Sequence, residues 1–255
     1  MSTTALRVLP TPDAIGEELA TRLLQRIEQA RLAAGRRFLL GCPTGRTPRP
    51  VFGAMARRLA ETGQDVGHVV LVMMDEYLVP DESGALTYAP GAEPWSCHHF
   101  ARAEIAGPLG VPDESVWFPD PADPEAYDAR IDDAGGIDFF LLASGASDGH
   151  VAFNPPGSPR ASRTRIIPLS DETRRDNLQT FPAFGTLEAV PHHGISVGID
   201  TIARSKAAAM VVWGAGKRVT LSRMLAADRY QPDWPATLIH EVAEREIVSD
   251  AEAAG

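Results

Sequence analysis

The sequence predicts an α/β protein built on a doubly wound, mostly parallel sheet with helices on both of its faces. Strand-like and helix-like segments alternate along the chain, and this alternation is typical of parallel sheets. The segments DFFLL and VVLVMM are almost wholly apolar, which favours strands that are covered by helices on both sides. No internal repeat and no clear linker divides the 255 residues, so we expect a single domain over residues 1–255.

Hydrophobic spacing and turn residues predict the elements in chain order. Residues 12–34 carry Ile15, Leu19, Leu23 and Ile27 near helical spacing, with charged residues between them, and predict the first helix. Residues 79–96 are rich in Pro, Gly and Ser and form a loop that is too long for a passive connector. The other predicted elements are the strand RRFLLGC, the helix 49–62, the strand VGHVVLVMMDEY, the helix 123–134, the strand GGIDFFLL, the segment ISVGID with a helix from Thr201, the strand KAAAMVV, the helix KRVTLSRMLA and the strand REIVSD.

Composition and charge exclude several classes of protein. The net charge of −10 argues against general binding to nucleic acid, because neutralising a phosphate backbone requires a basic face. No apolar run approaches the roughly 18 residues of a membrane span. The N-terminus lacks the basic and apolar regions of a signal peptide. Cys42 and Cys97 make no disulfide framework, so a cytoplasmic location is expected.

Two glycine-containing turns at strand ends predict an anion-binding site. In sheets of this class, ligands bind beyond the carboxyl ends of the strands. The segment Thr44-Gly45-Arg46-Thr47 leads into a helix, and its backbone N–H and hydroxyl groups can bind an anion. An ordinary turn with an N-cap at Thr47 is an equally good interpretation. Lys217 follows two glycines at another helix start and suits a phosphate contact, although a solvated helix lysine is the alternative.

Acidic residues and a histidine at two further strand ends suit proton transfer. Asp75 and Glu76 end a buried strand, where a carboxylate can act as a general base; a solvated loop start or helix cap is the alternative. Asp148 precedes His150 by two residues, so one side chain can orient and charge-balance the other. Ser147 stands in a Gly-x-Ser-x-Gly pattern with a histidine downstream, as in serine hydrolases, but three prolines follow too soon for the required helix.

Metal binding is not predicted. The pairs His98-His99 and His192-His193 lack partners at the spacing that metal sites use.

Five segments together resemble the glucosamine-6-phosphate deaminase/isomerase family, which has 6-phosphogluconolactonase as its sister. They follow the family order between Leu39 and Leu221, over most of the chain: LGCPTGRTP, VVLVMMDEYLVP, GASDGHVAFNPPGSPRASRTR, ISVGIDTI and VVWGAGKRVTL. The resemblance implies an α/β sandwich of the Rossmann-like kind.

The resemblance also implies a role for each matched residue. Asp75 would move a proton between C2 and C1 of an open-chain sugar, and His150, supported by Asp148, would assist ring opening. The phosphate would be held by Thr44, Gly45, Thr47 and Lys217. Such chemistry requires general bases, and we expect no metal or organic cofactor.

Three positions depart from the family pattern. Pro155 stands where deaminases carry the Glu of an Asp-His-Glu unit, and Arg46 stands at the second glycine of the phosphate loop. A phosphate-binding Arg of the family falls on Gln179, with Arg174 and Arg175 close by. These departures predict an altered substrate head group and a release of ammonia from glucosamine 6-phosphate that is slow or absent.

The leading hypothesis is therefore a sugar-phosphate isomerase/deaminase-like enzyme that acts on a small phosphorylated sugar. A lactone hydrolase is the second hypothesis, with His150 activating water and basic groups stabilising the oxyanion. A binding module without catalysis is the third, and the presence of Asp75, Asp148 and His150 speaks against it. No nucleic acid or membrane partner is expected, and the sequence leaves a homo-oligomer open.

Overall fold

A seven-stranded parallel sheet forms the centre of the protein in a computed structural model that describes residues 4–34 and 36–255. The strands pair in parallel throughout, which confirms the predicted fold class. From one edge to the other, and numbered in chain order, they are Ala5–Leu9 (β1), Glu244–Asp250 (β11), Ala207–Val212 (β10), Phe139–Leu142 (β7), Phe38–Cys42 (β2), Val69–Met73 (β3) and Val116–Trp117 (β6).

Helices cover both faces of this sheet. Leu40 and Leu71 face a core formed with the first two helices, whereas the adjacent Leu39 and Val70 face a second core on the other side. This alternation follows from the two-residue period of a strand, and it explains why the central strands are apolar at consecutive positions. The helices are Pro12–Ala34 (α1), Arg49–Thr62 (α2), Cys97–Phe100 (α3), Gly107–Leu109 (α4), Pro124–Asp133 (α5), Asp171–Thr180 (α6), Ile199–Ala203 (α7), Arg218–Ala226 (α8) and Ala251–Ala254 (α9).

Shorter helical turns complete the two helical layers. A π-helical segment, Ala101–Ala106, joins α3 to α4. Five 3₁₀ turns lie elsewhere in the described chain, at Asp113–Ser115, Pro182–Phe184, Leu187–Ala189, Ala215–Lys217 and Pro235–Glu241. Among the described residues, no helix has the length and apolar character needed to cross a membrane.

A second, antiparallel sheet corrects the prediction for two segments. Its strands, in spatial order, are Leu86–Tyr88 (β5), Asp75–Pro80 (β4), His193–Ser196 (β9) and Arg165–Pro168 (β8). The predicted single strand VGHVVLVMMDEY is therefore two strands in different sheets, separated at Met74. The ISVGID segment contributes to the small sheet, and its helix begins at Ile199 rather than at Thr201. The apolar pattern runs through Met74 without a break, because residues on both sides of this junction are buried.

The order of the central strands gathers the candidate residues at one edge. Strands β10, β7, β2 and β3 are neighbours in the sheet and run in the same direction. The segments that follow them therefore leave the sheet side by side. These four segments carry the predicted anion-binding loop, Asp75, the Asp148–His150 pair and Lys217.

Candidate active site

A cleft of about 350 Å³ opens at the carboxyl ends of the four central strands. Asp148 lies against one lining residue, His150, to which it is hydrogen bonded. The structure therefore brings all the predicted site residues together, whereas their individual roles stay predictions. The predicted residues that line the cleft directly are Thr44, Gly45, Arg46, Thr47, Asp75, His150 and Lys217.

Asp148 orients the imidazole of His150 from the loop that follows β7. Its Oδ1 accepts hydrogen bonds from His150 Nδ1 at 2.7 Å and from the His150 backbone N–H at 3.1 Å. Burial alone would raise the pKa of the Asp148 carboxyl, but the contacts with His150 outweigh burial and hold this pKa below its usual value. An ionised carboxylate can only accept hydrogen bonds, so Nδ1 of His150 carries a proton. Nε2 is then the ring nitrogen that is left to exchange a proton in the cleft.

Two glycines make this loop conformation accessible. A Cβ atom on Gly145 would lie 2.2 Å from His150 Nδ1, so a side chain there would displace the imidazole. Gly149 has a φ of +68°, and a Cβ atom on it would meet the ring of Trp234 at 2.5 Å. The two glycines of the Gly-x-Ser-x-Gly pattern are thus explained by the proximity of His150 to Gly145, and by the proximity of Trp234 to Gly149 together with its positive φ.

The serine-hydrolase alternative is wrong. His240, the histidine downstream of Ser147, hydrogen bonds to Thr4 Oγ1 and to the Met224 carbonyl and does not line the cleft. A turn follows Ser147 in place of the helix that a nucleophile elbow requires.

The carboxyl group of Asp75 is buried, and its hydrogen-bonding partner is neutral. It is the first residue of β4 and is 5% exposed, and its Oδ1 accepts from the Cys97 thiol at 3.5 Å. Burial raises the pKa of Asp75 to about 7, although the Cys97 contact opposes the shift and the nearby Glu76 adds to it. A carboxyl group that ionises near neutral pH suits reversible proton transfer.

Glu76, by contrast, has a structural role. Its carboxylate is fully buried and accepts from the backbone N–H groups of Tyr77, Cys97 and His98, at 2.7, 3.0 and 2.8 Å. It also contacts His98 Nδ1 at 2.5 Å. These contacts anchor the start of α3 to β4 and hold Cys97 against Asp75. Of the two adjacent carboxylates, Asp75 is therefore the one that reaches the cleft.

One end of the cleft combines free backbone donors with two basic side chains. The backbone N–H groups of Gly45, Arg46 and Thr47 make no hydrogen bond to any described residue. Lys217 Nζ donates to the Ser144 carbonyl, and burial lowers the pKa of Lys217 to about 8. The exposed Arg46 lies close enough to Lys217 to oppose its charge. An anion bound here would be attracted by both side chains.

The alternative of an N-cap at Thr47 is wrong. Helix α2 begins at Arg49 with Pro48 at its N-cap, and no side chain caps it. The Thr47 carbonyl instead accepts from Trp213 Nε1 at 3.1 Å, which ties the loop to the end of β10.

Helix α6 contributes cleft residues of which the sequence analysis named only Gln179. Ser170 caps α6 by accepting from the Thr173 backbone N–H, and acidic residues occupy its first turn. This start signal was available in the sequence but indicated nothing about a cleft. Four residues of the helix line the cleft: Asp176, Asn177, Gln179 and Thr180.

The arginines of α6 do not reach the cleft. Arg174 is buried and donates to the carbonyls of Leu187 and Val190, and Arg175 is exposed beside Glu172. Gln179 therefore occupies this part of the cleft without a positive charge.

One group of side chains has the composition of a metal site. Single ligand atoms of Asp148, His150 and Asp176 lie within 4.8 Å of one another. However, Asp148 and His150 are already hydrogen bonded to each other. Both aspartates also lie near Lys217 and favour its charged form, since each of them raises the pKa of Lys217. A buried ammonium disfavours a cation, so this arrangement suits proton transfer better than metal binding.

Known proteins resemble the chain over most of its length. A family model described as glucosamine-6-phosphate isomerases/6-phosphogluconolactonase matches residues 10–248. The chain is 31% identical over 248 residues to the glucosamine-6-phosphate deaminase of Shouchella clausii, covering 95% of this chain and 93% of that protein. It is 35% identical over 216 residues to the deaminase of Streptomyces coelicolor, covering 82% and 76%.

Solved structures share the fold. A monomeric glucosamine-6-phosphate deaminase superposes with a TM-score of 0.86 at 24% identity and covers 98% of both chains. The 6-phosphogluconolactonase of Thermotoga maritima superposes with a TM-score of 0.69 at 18% identity, covering 97% of this chain and 99% of that one.

Proposed function

Because the chain belongs to the family of glucosamine-6-phosphate isomerases and 6-phosphogluconolactonases, we propose that it converts a phosphorylated 2-amino sugar to a ketose phosphate with loss of the amine. The observation that carries this proposal is the arrangement at one cleft, which is lined by the buried carboxyl group of Asp75 and by His150 with its hydrogen-bonded partner Asp148. Asp75 has its pKa raised to about 7, and Asp148 has its pKa lowered beside His150. An aldose–ketose proton transfer requires both kinds of group.

Substrate binding begins at the phosphate. The free N–H groups of Gly45, Arg46 and Thr47 and the ammonium of Lys217 face one end of the cleft and hold the phosphate there. The sugar then extends toward Asp75 and His150, which line the same cleft.

Ring opening uses His150. Its Nδ1 proton is donated to Asp148, and its Nε2 has no hydrogen-bonding partner among the described residues. Nε2 takes the proton of the anomeric hydroxyl and returns a proton to the ring oxygen, so that the ring C1–O bond breaks and an open-chain aldehyde forms. Asp148 stabilises the imidazolium that exists between these two steps.

Asp75 performs the proton transfer along the carbon chain. The carboxylate removes the proton from C2 while a water molecule protonates the C1 carbonyl oxygen, which gives an enol–amine. Asp75 then returns its proton to C1, and the hydroxide left from the water takes a proton from the nitrogen. The product is an imine at C2, and the addition of water there expels ammonia and leaves a ketose phosphate. A carboxyl group with a pKa of about 7 can give and take a proton at neutral pH with little energetic penalty.

The test is to incubate purified protein separately with glucosamine 6-phosphate and with 6-phosphogluconolactone. We expect ammonia and a ketose phosphate from the first substrate, and no hydrolysis of the second above the spontaneous rate. Because Pro155 supplies no carboxylate, we expect a turnover below a typical enzyme rate of about 10 s⁻¹. Lactone hydrolysis without ammonia release would instead make the protein a lactonase.

A further inference from the structure

Helix α6 brings a second carboxylate to the catalytic histidine. Asp176 is half-buried and lines the cleft, and one of its oxygens lies within 4.8 Å of a His150 ring nitrogen and of an Asp148 oxygen. The proposed reaction uses Asp75, Asp148 and His150 and gives Asp176 no task. A carboxylate placed beside this partly buried hydrogen-bonded pair favours the protonated form of the imidazole, because opposite charges attract more strongly where water is less accessible.

Hydrogen bonds hold Asp176 against the loop that carries His150. Its Oδ2 accepts from the Ala146 backbone N–H at 3.2 Å and faces Ser147 Oγ at 3.5 Å. Ala146 and Ser147 immediately precede Asp148 in this loop. The Asp176 side chain therefore joins α6 to the loop at a point close to the imidazole.

The segment after His150 offers no substitute for this carboxylate. Pro155 lies outside the cleft, and its carbonyl accepts from the Ser158 backbone N–H at 3.1 Å and from Ser158 Oγ at 2.7 Å. Asp148 uses only Oδ1 for His150, and its Oδ2 is buried and makes no hydrogen bond to any described group. The second negative charge near the ring comes from α6.

We propose that Asp176 is a positioning residue for His150, whose carboxylate stabilises the protonated imidazole that ring opening requires. The proposal rests on the proposed function for the step in which the imidazolium forms. Asp148 orients the ring through Nδ1, and Asp176 adds a second negative charge from another element. Together they balance one imidazolium and the nearby ammonium of Lys217.

The charges around His150 determine whether neutralising Asp176 makes the imidazolium more or less stable. Asp148 faces the ring from its own loop, Asp176 faces it from α6, and Asp75 shares the cleft from β4. Lys217 and Arg46 bring positive charge from the segments after β10 and β2. Neutralising Asp176 removes one of the anions that oppose these two cations, so the imidazolium becomes less stable.

The decisive experiment follows the His150 ring signals by NMR against pH in the ligand-free protein. Asp176→Asn retains an oxygen that can accept from Ala146 but loses the charge. We expect the His150 transition to move to lower pH by roughly one unit, or about tenfold in proton affinity. Glu172→Gln, which removes a charge from the exposed start of the same helix, is the matched control and should leave the transition in place.

Kinetics supply the second readout. We expect Asp176→Asn to lower kcat about tenfold with little change in KM, and Asp176→Glu to recover most of the loss. An unmoved His150 transition would overturn the proposal. A raised KM at unchanged kcat would also overturn it, because Asp176 would then act on phosphate binding through Lys217. The NMR transition requires no turnover, so an inactive wild type would refute the proposed function while the ring signals still decide the role of Asp176.

Discussion

Asp75 and Asp148 show how two aspartates in one cleft acquire opposite properties. Both are nearly inaccessible to solvent, at 5% and 8% exposure. Asp75 faces the neutral thiol of Cys97, and burial raises its pKa to about 7; Asp148 faces the imidazole of His150, and its pKa is lowered despite burial. Burial and the partner together therefore decide which form of each carboxyl group is favoured, and the proposed mechanism gives proton exchange to Asp75 and orientation of the ring to Asp148.

The largest effect is expected for Asp75→Asn. Loss of a general base lowers the rate of proton transfer by about 10²–10⁴-fold. Binding of a phosphorylated sugar should change little, because the proposed phosphate contacts are made by other residues. Deuterium exchange at C2 measures the first effect, and calorimetry measures the second. Glu82→Gln, in the exposed loop after β4, is the control and should leave the exchange rate unchanged. If Asp75→Asn exchanged deuterium at the wild-type rate, Asp75 would have no part in the mechanism.

Asp75→Asn should also stabilise the fold at alkaline pH. The pKa of Asp75 rises from 3.8 to about 7 on folding, so the stability that its neutral form provides is present below pH 3.8 and is lost as the pH rises through 7. Three pKa units correspond to about 4 kcal/mol at most. Urea unfolding of both proteins at pH 5 and pH 8 measures this. The variant should exceed the wild type in free energy of unfolding by more at pH 8 than at pH 5. An equal difference at both pH values would contradict a raised pKa of Asp75 in the folded protein.

Lys217→Ala should weaken the binding of phosphorylated ligands but not the binding of their unphosphorylated analogues. A charge-assisted contact contributes roughly 1.5–3 kcal/mol, or a tenfold to hundredfold change in affinity, and unphosphorylated analogues should lose nothing. Because burial lowers the pKa of Lys217 to about 8, its charge is present below this pH and lost above it. Wild-type affinity measured by calorimetry should therefore fall above pH 8, and the variant should lack this fall. Lys206→Ala, at the opposite end of β10, is the control; equal losses for both ligand types would indicate a structural role.

The smallest effect is expected for Cys97→Ala, which tests the partner of Asp75 directly. The thiol lowers the pKa of Asp75, so its removal should raise that pKa further. The acidic limb of the pH–activity profile should then move to higher pH. Activity at pH 6 should fall a few-fold, since a thiol is a weak donor, and activity at pH 8 should change little. Cys97→Ser retains a donor and should keep the original limb. Cys42→Ala, at the other buried cysteine, controls for loss of a thiol.

The sequence identified five of the seven strands of the parallel sheet, several of the longer helices and the strand-end residues of the cleft, because these depend on local patterns. Helices α1 and α2 are found at the predicted bounds, since their hydrophobic spacing and turn residues are local signals. The four strand-end segments were found because a polar or glycine-containing stretch follows each apolar strand. Strand β1 was not predicted, because Leu6 and Val8 are exposed at the sheet edge and lack the pattern of a buried strand.

By itself, the sequence determined an α/β fold, a cleft at the strand ends, and the aspartates and histidine that lie in it. Only the tertiary structure decided that Asp75 rather than Glu76 reaches the cleft, that Cys97 is its partner, and that Asp176 stands beside His150. The physical reason is distance along the chain. Periodicity and capping act over a few residues, whereas the charge of a buried group depends on side chains that folding brings from remote elements, here α3 and α6.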